Sequence, residues 1–253
     1  MHAADRTTPA PRTLCAVFAH PDDETFSMAA TLARLSDGGV ACHLFTATDG
    51  DAGRSSGLAV QSREELGRVR RAELLEAARV LGIRDVRSAG HRDGELAAVD
   101  ADLLTGEIVR WLRQHRPQVV VTFGPEGAPN AHRDHRALSR AATAAFFLAG
   151  LSTAFPAQLT EGVEPHAPAR LYYIAWPRPH AGAPIQVQSV PPTVRIPMAG
   201  WRQRGLDAFA AHRSQHVHAE RFAEVTAGPD EHFALAAGVA QPAAMTDDLF
   251  AGL

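Results

Sequence analysis

Two cysteines in 253 residues are too few to staple a fold of this size. Cys15 and Cys42 both lie in apolar, strand-like runs, so they read as buried thiols of a reducing compartment; a disulfide framework and redox chemistry are set aside. No apolar run approaches the ~20 residues that a membrane span needs, and the stretch from Met1 to Arg12 is polar and proline-containing without a signal-like core. A cytoplasmic protein with no membrane span is the expectation. An excess of one charge is also missing: 25 basic against 28 acidic residues leave a formal charge of -3, which gives no field for nucleic acid. There is no internal repeat and no low-complexity block. What remains, 45% hydrophobic and 21% charged, suits one α/β domain.

The hydrophobic pattern alternates strands and helices. Leu14–Phe18 reads as a buried strand, Thr25–Asp37 as a helix stopped by Gly38-Gly39, and Val40–Ala47 as a second strand. Ser62–Leu81 is a long amphipathic helix ended by Gly82, within which Arg70 and Glu73 can pair. A short strand over Val86–Ala89 follows, then a helix capped by Asp100 or Asp102 and running to Gln114. Gln118–Phe123 is the most apolar strand, hence central and parallel, and Arg136–Gly150 is an Ala-rich helix. Beyond residue 150 prolines accumulate around extended runs at Leu171–Trp176, Ile185–Val190 and Thr193–Ile196, and Trp201–Val217 reads as helix. The Ala-rich stretch from Thr226 is expected to be helical. The fold expected is α/β, a Rossmann-like three-layer arrangement with a mostly parallel central sheet and a small C-terminal β/α excursion. Residues 1–12 form a flexible tail, 13–225 a single domain, and 226–253 an extension packed on it or partly flexible.

Chemistry concentrates where strands end. The first strand delivers His20-Pro21-Asp22-Asp23-Glu24 to its C-terminal edge, where open α/β sheets place their sites. Three adjacent carboxylates repel one another unless a cation sits among them; the bland alternative is that they cap the next helix. The central strand delivers His132-Arg133-Asp134-His135 to the same edge, and two histidines three apart at a helix start can face one cavity. His20, Asp23 and His135 can therefore converge on one ion, and two imidazoles with one carboxylate describe a catalytic zinc site. Such an ion lowers the pKa of a water towards ~7. Asp22 can take a proton as general base, and His132 can stabilise an oxyanion as imidazolium. The loop Thr48–Gly57, with Arg54, and the loop holding Asp93 leave strands at the same edge, so both can line the pocket. His43, inside the second strand, reads as a satisfied structural histidine. Metal-assisted acyl hydrolysis is implied, yet residue types alone also permit phosphoester cleavage.

These residues carry a resemblance. Ala19-His20-Pro21-Asp22-Asp23-Glu24 with His132-x-Asp134-His135 resembles the PIG-L/LmbE family of zinc-dependent N-deacetylases. The Thr48-x-Gly50-x-x-Gly53 loop, Arg70-x-x-Glu73, Asp93-Gly94 and His212-x-Ser214-Gln215 match as well, so roughly residues 14 to 220 are covered. The resemblance implies a Rossmann-like fold and removal of an N-acetyl group from a glucosamine-type sugar or sugar conjugate. Zinc, one per chain or another divalent first-row metal in its place, would sit on His20, Asp23 and His135. Asp22 would be the base, His132 the oxyanion stabiliser, and Arg54, Asp93, Arg133, Asn130 and His212 substrate contacts. The implied partner is a small N-acetylated sugar, with no nucleic acid, and a homo-oligomer is compatible. The family commonly has Pro after the first His of its second motif and sometimes Tyr two residues before it; here Arg133 and Asn130 stand there. Arg133 near the mouth would favour an anionic substrate. The alternatives are a metal-dependent hydrolase of another bond, and a module that binds metal or sugar without catalysis.

Overall fold

The computed structural model describes residues 11–176 and 189–253. The expected tail over 1–12 and the extended run at 185–190 therefore lie largely outside the described residues. The elements run β1 (Thr13–Phe18), α1 (Asp23–Asp37), β2 (Ala41–Thr48), α2 (Arg63–Leu81), β3 (Asp85–His91), α3 (Ala101–His115), β4 (Val119–Thr122), α4 (Arg133–Leu148) and α5 (Ala157–Thr160). Then come β5 (Arg170–Ile174), β6 (Val194–Pro197), α6 (Arg202–Ala211), α7 (Ala219–Val225) and β7 (Asp230–Gly238).

All strands join one seven-stranded sheet in the order β3-β2-β1-β4-β5-β7-β6. The first five are parallel, and β7 runs antiparallel to both β5 and β6. Every residue of β1 and β4 is buried, as expected of strands covered on both faces, and this is why they read as continuous apolar runs. Helices α1, α2 and α6 contact one another, and α3 contacts α4, so the sheet lies between two helical layers. The sequence punctuates these helices as physics requires. Ser62 caps α2 by accepting from the Glu65 N–H, and Gly82 ends it at φ 75°, a conformation that a Cβ would strain. Asp100 caps α3 through the Leu103 N–H.

Chain order reverses between β1 and β4. From β1 the chain moves outwards through β2 and β3, then returns to β4 on the other side of β1. Crevices of doubly wound sheets open at such a switch point, outside the carboxyl ends of the strands. The segments that follow β1 and β4 are those carrying the two histidine motifs.

Two expectations fail. The Ala-rich stretch after Thr226 contains a strand, β7, which fills the gap between β5 and β6. Alanine favours helix weakly; a paired place between two strands outweighs that preference. The expected helix Trp201–Val217 breaks at His212, whose ψ of 61° ends α6, and a 3₁₀ segment, Arg213–His218, follows.

Candidate active site

The turn between β1 and α1 is the foundation. Asp22 occupies the N-cap of α1 with φ 100°, a left-handed conformation costly for a residue with a Cβ. Its side chain makes no cap hydrogen bond; it lines the cavity instead. Glu24 accepts from the Asp22 N–H at 3.0 Å and so holds this turn from below.

Asp23 lies between two imidazoles. Its Oδ2 is 3.3 Å from His20 Nδ1 and its Oδ1 is 3.3 Å from His135 Nε2. The remaining nitrogens are fixed by groups that only accept. His135 Nδ1 is 3.1 Å from the Ala128 carbonyl, and His20 Nε2 is 3.1 Å from Asp93 Oδ1 and 3.3 Å from Asp134 Oδ2. Those contacts place the ring protons on His135 Nδ1 and His20 Nε2, and in the neutral rings they leave two lone pairs aimed at the Asp23 carboxylate. Across 3.3 Å, a divalent cation between them, or in its absence a proton on His20 Nδ1, satisfies both sides. That spacing is also about the edge of a tetrahedron with arms of ~2.0–2.1 Å, the usual zinc-to-nitrogen and zinc-to-oxygen lengths. The residues present therefore fit a divalent ion.

Electrostatics agree. Burial disfavours charge on His20, yet Asp134, Asp23 and Asp93 together raise its pKa well above the usual histidine value. Burial would raise Asp23, but His135 and His20 hold it well below the ordinary carboxylate range. Asp22 differs: burial lifts it to about 6 against the Arg70 charge, with Asp23 adding to the rise.

His132 is the third histidine, and one nitrogen of each of His20, His132 and His135 lies within 4.8 Å of the others. Its Nδ1 accepts the Asp134 N–H at 3.2 Å, so the neutral ring carries its proton on Nε2. The cavity thus meets a donor from His132, and burial with His20 and His135 nearby lowers that ring's pKa, which favours the neutral imidazole over the expected imidazolium.

The cavity, about 250 Å³, is lined at its base by His20, Asp22, Asp23, Asp93, His132 and His135 and farther out by Asn130, Gln215, His218 and Arg221. Of the expected substrate contacts, Asn130 lines it. Asp93 also does, but its Oδ1 faces His20 and its Oδ2 accepts from the Ala52 N–H, so it orients a ligand. His212 is a correction: it is 0% exposed and its Nε2 is 2.6 Å from Glu24 Oε1, so it supports the turn and touches no substrate. Arg54 and Arg133 are exposed and lie outside the cavity lining; the Arg54 carbonyl accepts from Gln215 Nε2.

Arg70 and Glu73 do not serve as a helix pair. Arg70 is buried and donates to the carbonyls of Gly50 and Pro21, with Asp22 Oδ2 at 3.4 Å. A Cβ on Gly50 or Gly53 would collide with this guanidinium, which is why that loop needs glycine. Glu73 accepts from both the N–H and the hydroxyl of Ser214, tying α2 to the segment that walls the cavity. Sequence reasoning noticed Arg70 and missed its partner, because the partner is 48 residues earlier at the switch point rather than a helical turn away.

Comparison with known proteins extends this. The 1D-myo-inositol 2-acetamido-2-deoxy-alpha-D-glucopyranoside deacetylase of Rhodococcus jostii (strain RHA1) is 31% identical, covering 96% of this chain and 98% of that one. A probable N-acetyl-alpha-D-glucosaminyl L-malate deacetylase 2 of Bacillus cereus is 35% identical over 51% of this chain and 59% of its own. The N,N'-diacetylchitobiose deacetylase of Pyrococcus horikoshii shares the fold, with a TM-score of 0.74 at 22% identity over 89% of this chain and 84% of that one. The family model described as PIG-L, GlcNAc-PI de-N-acetylase, matches residues 15–146, which hold both histidine motifs, and the chain belongs to that family.

Proposed function

We propose that this protein is a zinc-dependent hydrolase that removes the N-acetyl group from a glucosamine-type sugar conjugate. The observation that carries the reading is Asp23 set 3.3 Å from one ring nitrogen of each of His20 and His135, beside a second carboxylate, Asp22, in one cavity. His20, Asp23 and His135 would hold the ion, and when bound it would polarise the acyl carbonyl and ease deprotonation of water. Asp93 and Asp134 fix the His20 ring, and the Ala128 carbonyl fixes His135. Asp22 takes the proton of the attacking water at its carboxylate. Burial sets that carboxyl above the ordinary carboxylate range in the metal-free site, and the same group can return the proton to the leaving amine. His132 donates from Nε2 to the oxygen that gains charge as water adds to the carbonyl carbon. The relatives named above, acting by their names on acetylated glucosaminides of inositol and malate, support a sugar amide over a phosphoester. A cavity of about 250 Å³ suits a single sugar unit with part of its aglycone projecting outwards.

Acetate release and metal content should be measured on one preparation, with N-acetylglucosamine conjugates of inositol and of malate. Asp22→Ala should keep the metal content of the wild type and lose roughly 10²–10⁴-fold in kcat/KM. Metal-loaded wild type that turns over neither conjugate would reopen the substrate class, and full activity in Asp22→Ala would end the base assignment.

A further inference from the structure

A second cluster of ligand-type side chains lies at the far edge of the sheet. His43 is the third residue of β2, Asp85 opens β3 and His115 closes α3. The active site stands beyond the other end of β2, so the two are roughly 16 Å apart along that strand at ~3.3 Å per residue. One atom from each of His43, Asp85 and His115 lies within 4.8 Å of the others.

The proton inventory singles this cluster out. His115 Nδ1 is 3.0 Å from the Trp111 carbonyl, one turn back in α3, and a carbonyl only accepts. In the neutral ring the proton then sits on Nδ1, which leaves the Nε2 lone pair facing Asp85 Oδ2, 2.9 Å away. An imidazole anchored through one nitrogen to a backbone carbonyl with the other free is how metal-ligating histidines are commonly oriented. A proton on Nε2 would satisfy that pair alone and leave His43 aside. His43 belongs to the arrangement: its ring centroid is 4.2 Å from that of His115, and its Nδ1 is buried with no hydrogen-bond partner, against the expectation of a satisfied histidine. Burial and the neighbouring His115 push the His43 pKa down to about 4, so it stays a neutral ligand under ordinary conditions. The Trp111 ring, tilted by 41°, lies against that of His115 at 3.8 Å between centroids and restrains it. The Asp85 side chain is 55% exposed, which leaves a way in from solvent.

We propose that His43, His115 and Asp85 form a second cation site, for a divalent first-row metal of the zinc class, separate from the active site. Two imidazoles and a carboxylate select such ions over calcium or magnesium. A bound ion would tie the end of α3 to the starts of β2 and β3. It would act on stability and not on the reacting atoms. The proposal is independent of which bond the active site cleaves.

Zinc binding should be titrated calorimetrically, with metal counted after dialysis, for wild type, Asp85→Asn, His115→Gln and Asp23→Asn. Asp85 is at the surface, so Asp85→Asn should keep the wild-type circular dichroism. One equivalent should persist in Asp23→Asn and bind at least about tenfold more weakly in both Asp85→Asn and His115→Gln. Loss of all zinc in Asp23→Asn would place every ion at the active site and overturn the proposal. So would zinc that binds Asp85→Asn and His115→Gln as tightly as wild type.

Discussion

The parallel half of the sheet and its antiparallel flank are held together differently. In β1 and β4 every side chain is buried, and stability comes from apolar packing on both faces. In β6 burial alternates, Val194 and Ile196 in, Arg195 and Pro197 out, and the flank depends on polar contacts between distant segments. Arg170, 0% exposed in β5, donates to the carbonyls of Val239, Ala240 and Leu249, and Tyr172 donates to Leu249 as well. Arg113 does the same for the α4–α5 connection through the carbonyls of Ala149, Leu151 and Ala154. All 25 basic residues of the Lys and Arg pair are arginine, and the forked guanidinium suits one side chain to several carbonyls. Packing builds the half that carries both histidine motifs; buried arginines fasten the connections that follow α4 and β7.

The contrast can be strained from its strongest point downwards. Leu14→Ala in β1 should cost about 2–5 kcal/mol in chemical denaturation, and Arg195→Ala on the outer face of β6 less than about 0.5 kcal/mol. Equal losses would erase the distinction. Arg170→Met keeps much of the stem but strips donors from three carbonyls, so a loss of about 3 kcal/mol is expected. Hydrogen exchange should then quicken first around residues 239–250, and uniform quickening would argue against a local staple.

A smaller effect tests how the flank meets α1. Met28 breaks the helix with φ -158°, and the N–H groups of Ala30 and Thr31 that this frees donate to Glu231 of β7 at 2.9 and 2.7 Å. Burial outweighs those two donors and raises Glu231 to about 7. A carboxyl raised in the folded state favours folding most below the unfolded value near ~4.5, and that advantage fades as pH climbs to about 7. Glu231→Gln should therefore flatten the fall in stability across that window by on the order of 1–3 kcal/mol. Parallel curves for the two proteins would show that Glu231 does not titrate there.

The same division governs what could be read in advance. The parallel strands, their helices and the two histidine motifs were legible because each rests on local pattern: apolar runs, caps, glycine stops, and acids at a strand end. The switch point then followed from strand order. What escaped was set by partners far along the chain. Thr226 onwards looked helical because alanine hides a strand whose reason lies in β5 and β6. His212 resembled a substrate contact, but its partner Glu24 is 188 residues away, and no spacing rule reports that they meet. His43 looked content within its strand until the turn of α3 brought His115 beside it.

The hydrogen bonds from Glu231 to the broken helix carry a consequence for how the protein is made. Glu231 and Ala30 are 201 residues apart. At ~5–20 residues per second, a ribosome releases one roughly 10–40 s after the other. The first histidine motif emerges early and the second just past mid-chain, yet Ser214 and His212, which brace α2 and the Asp22 turn, leave late, and β7 later still. Between the release of His135 and that of β7 the chain holds its proposed metal ligands in an unfinished pocket. A message truncated before β7 should yield a product that still captures metal and cannot turn over substrate.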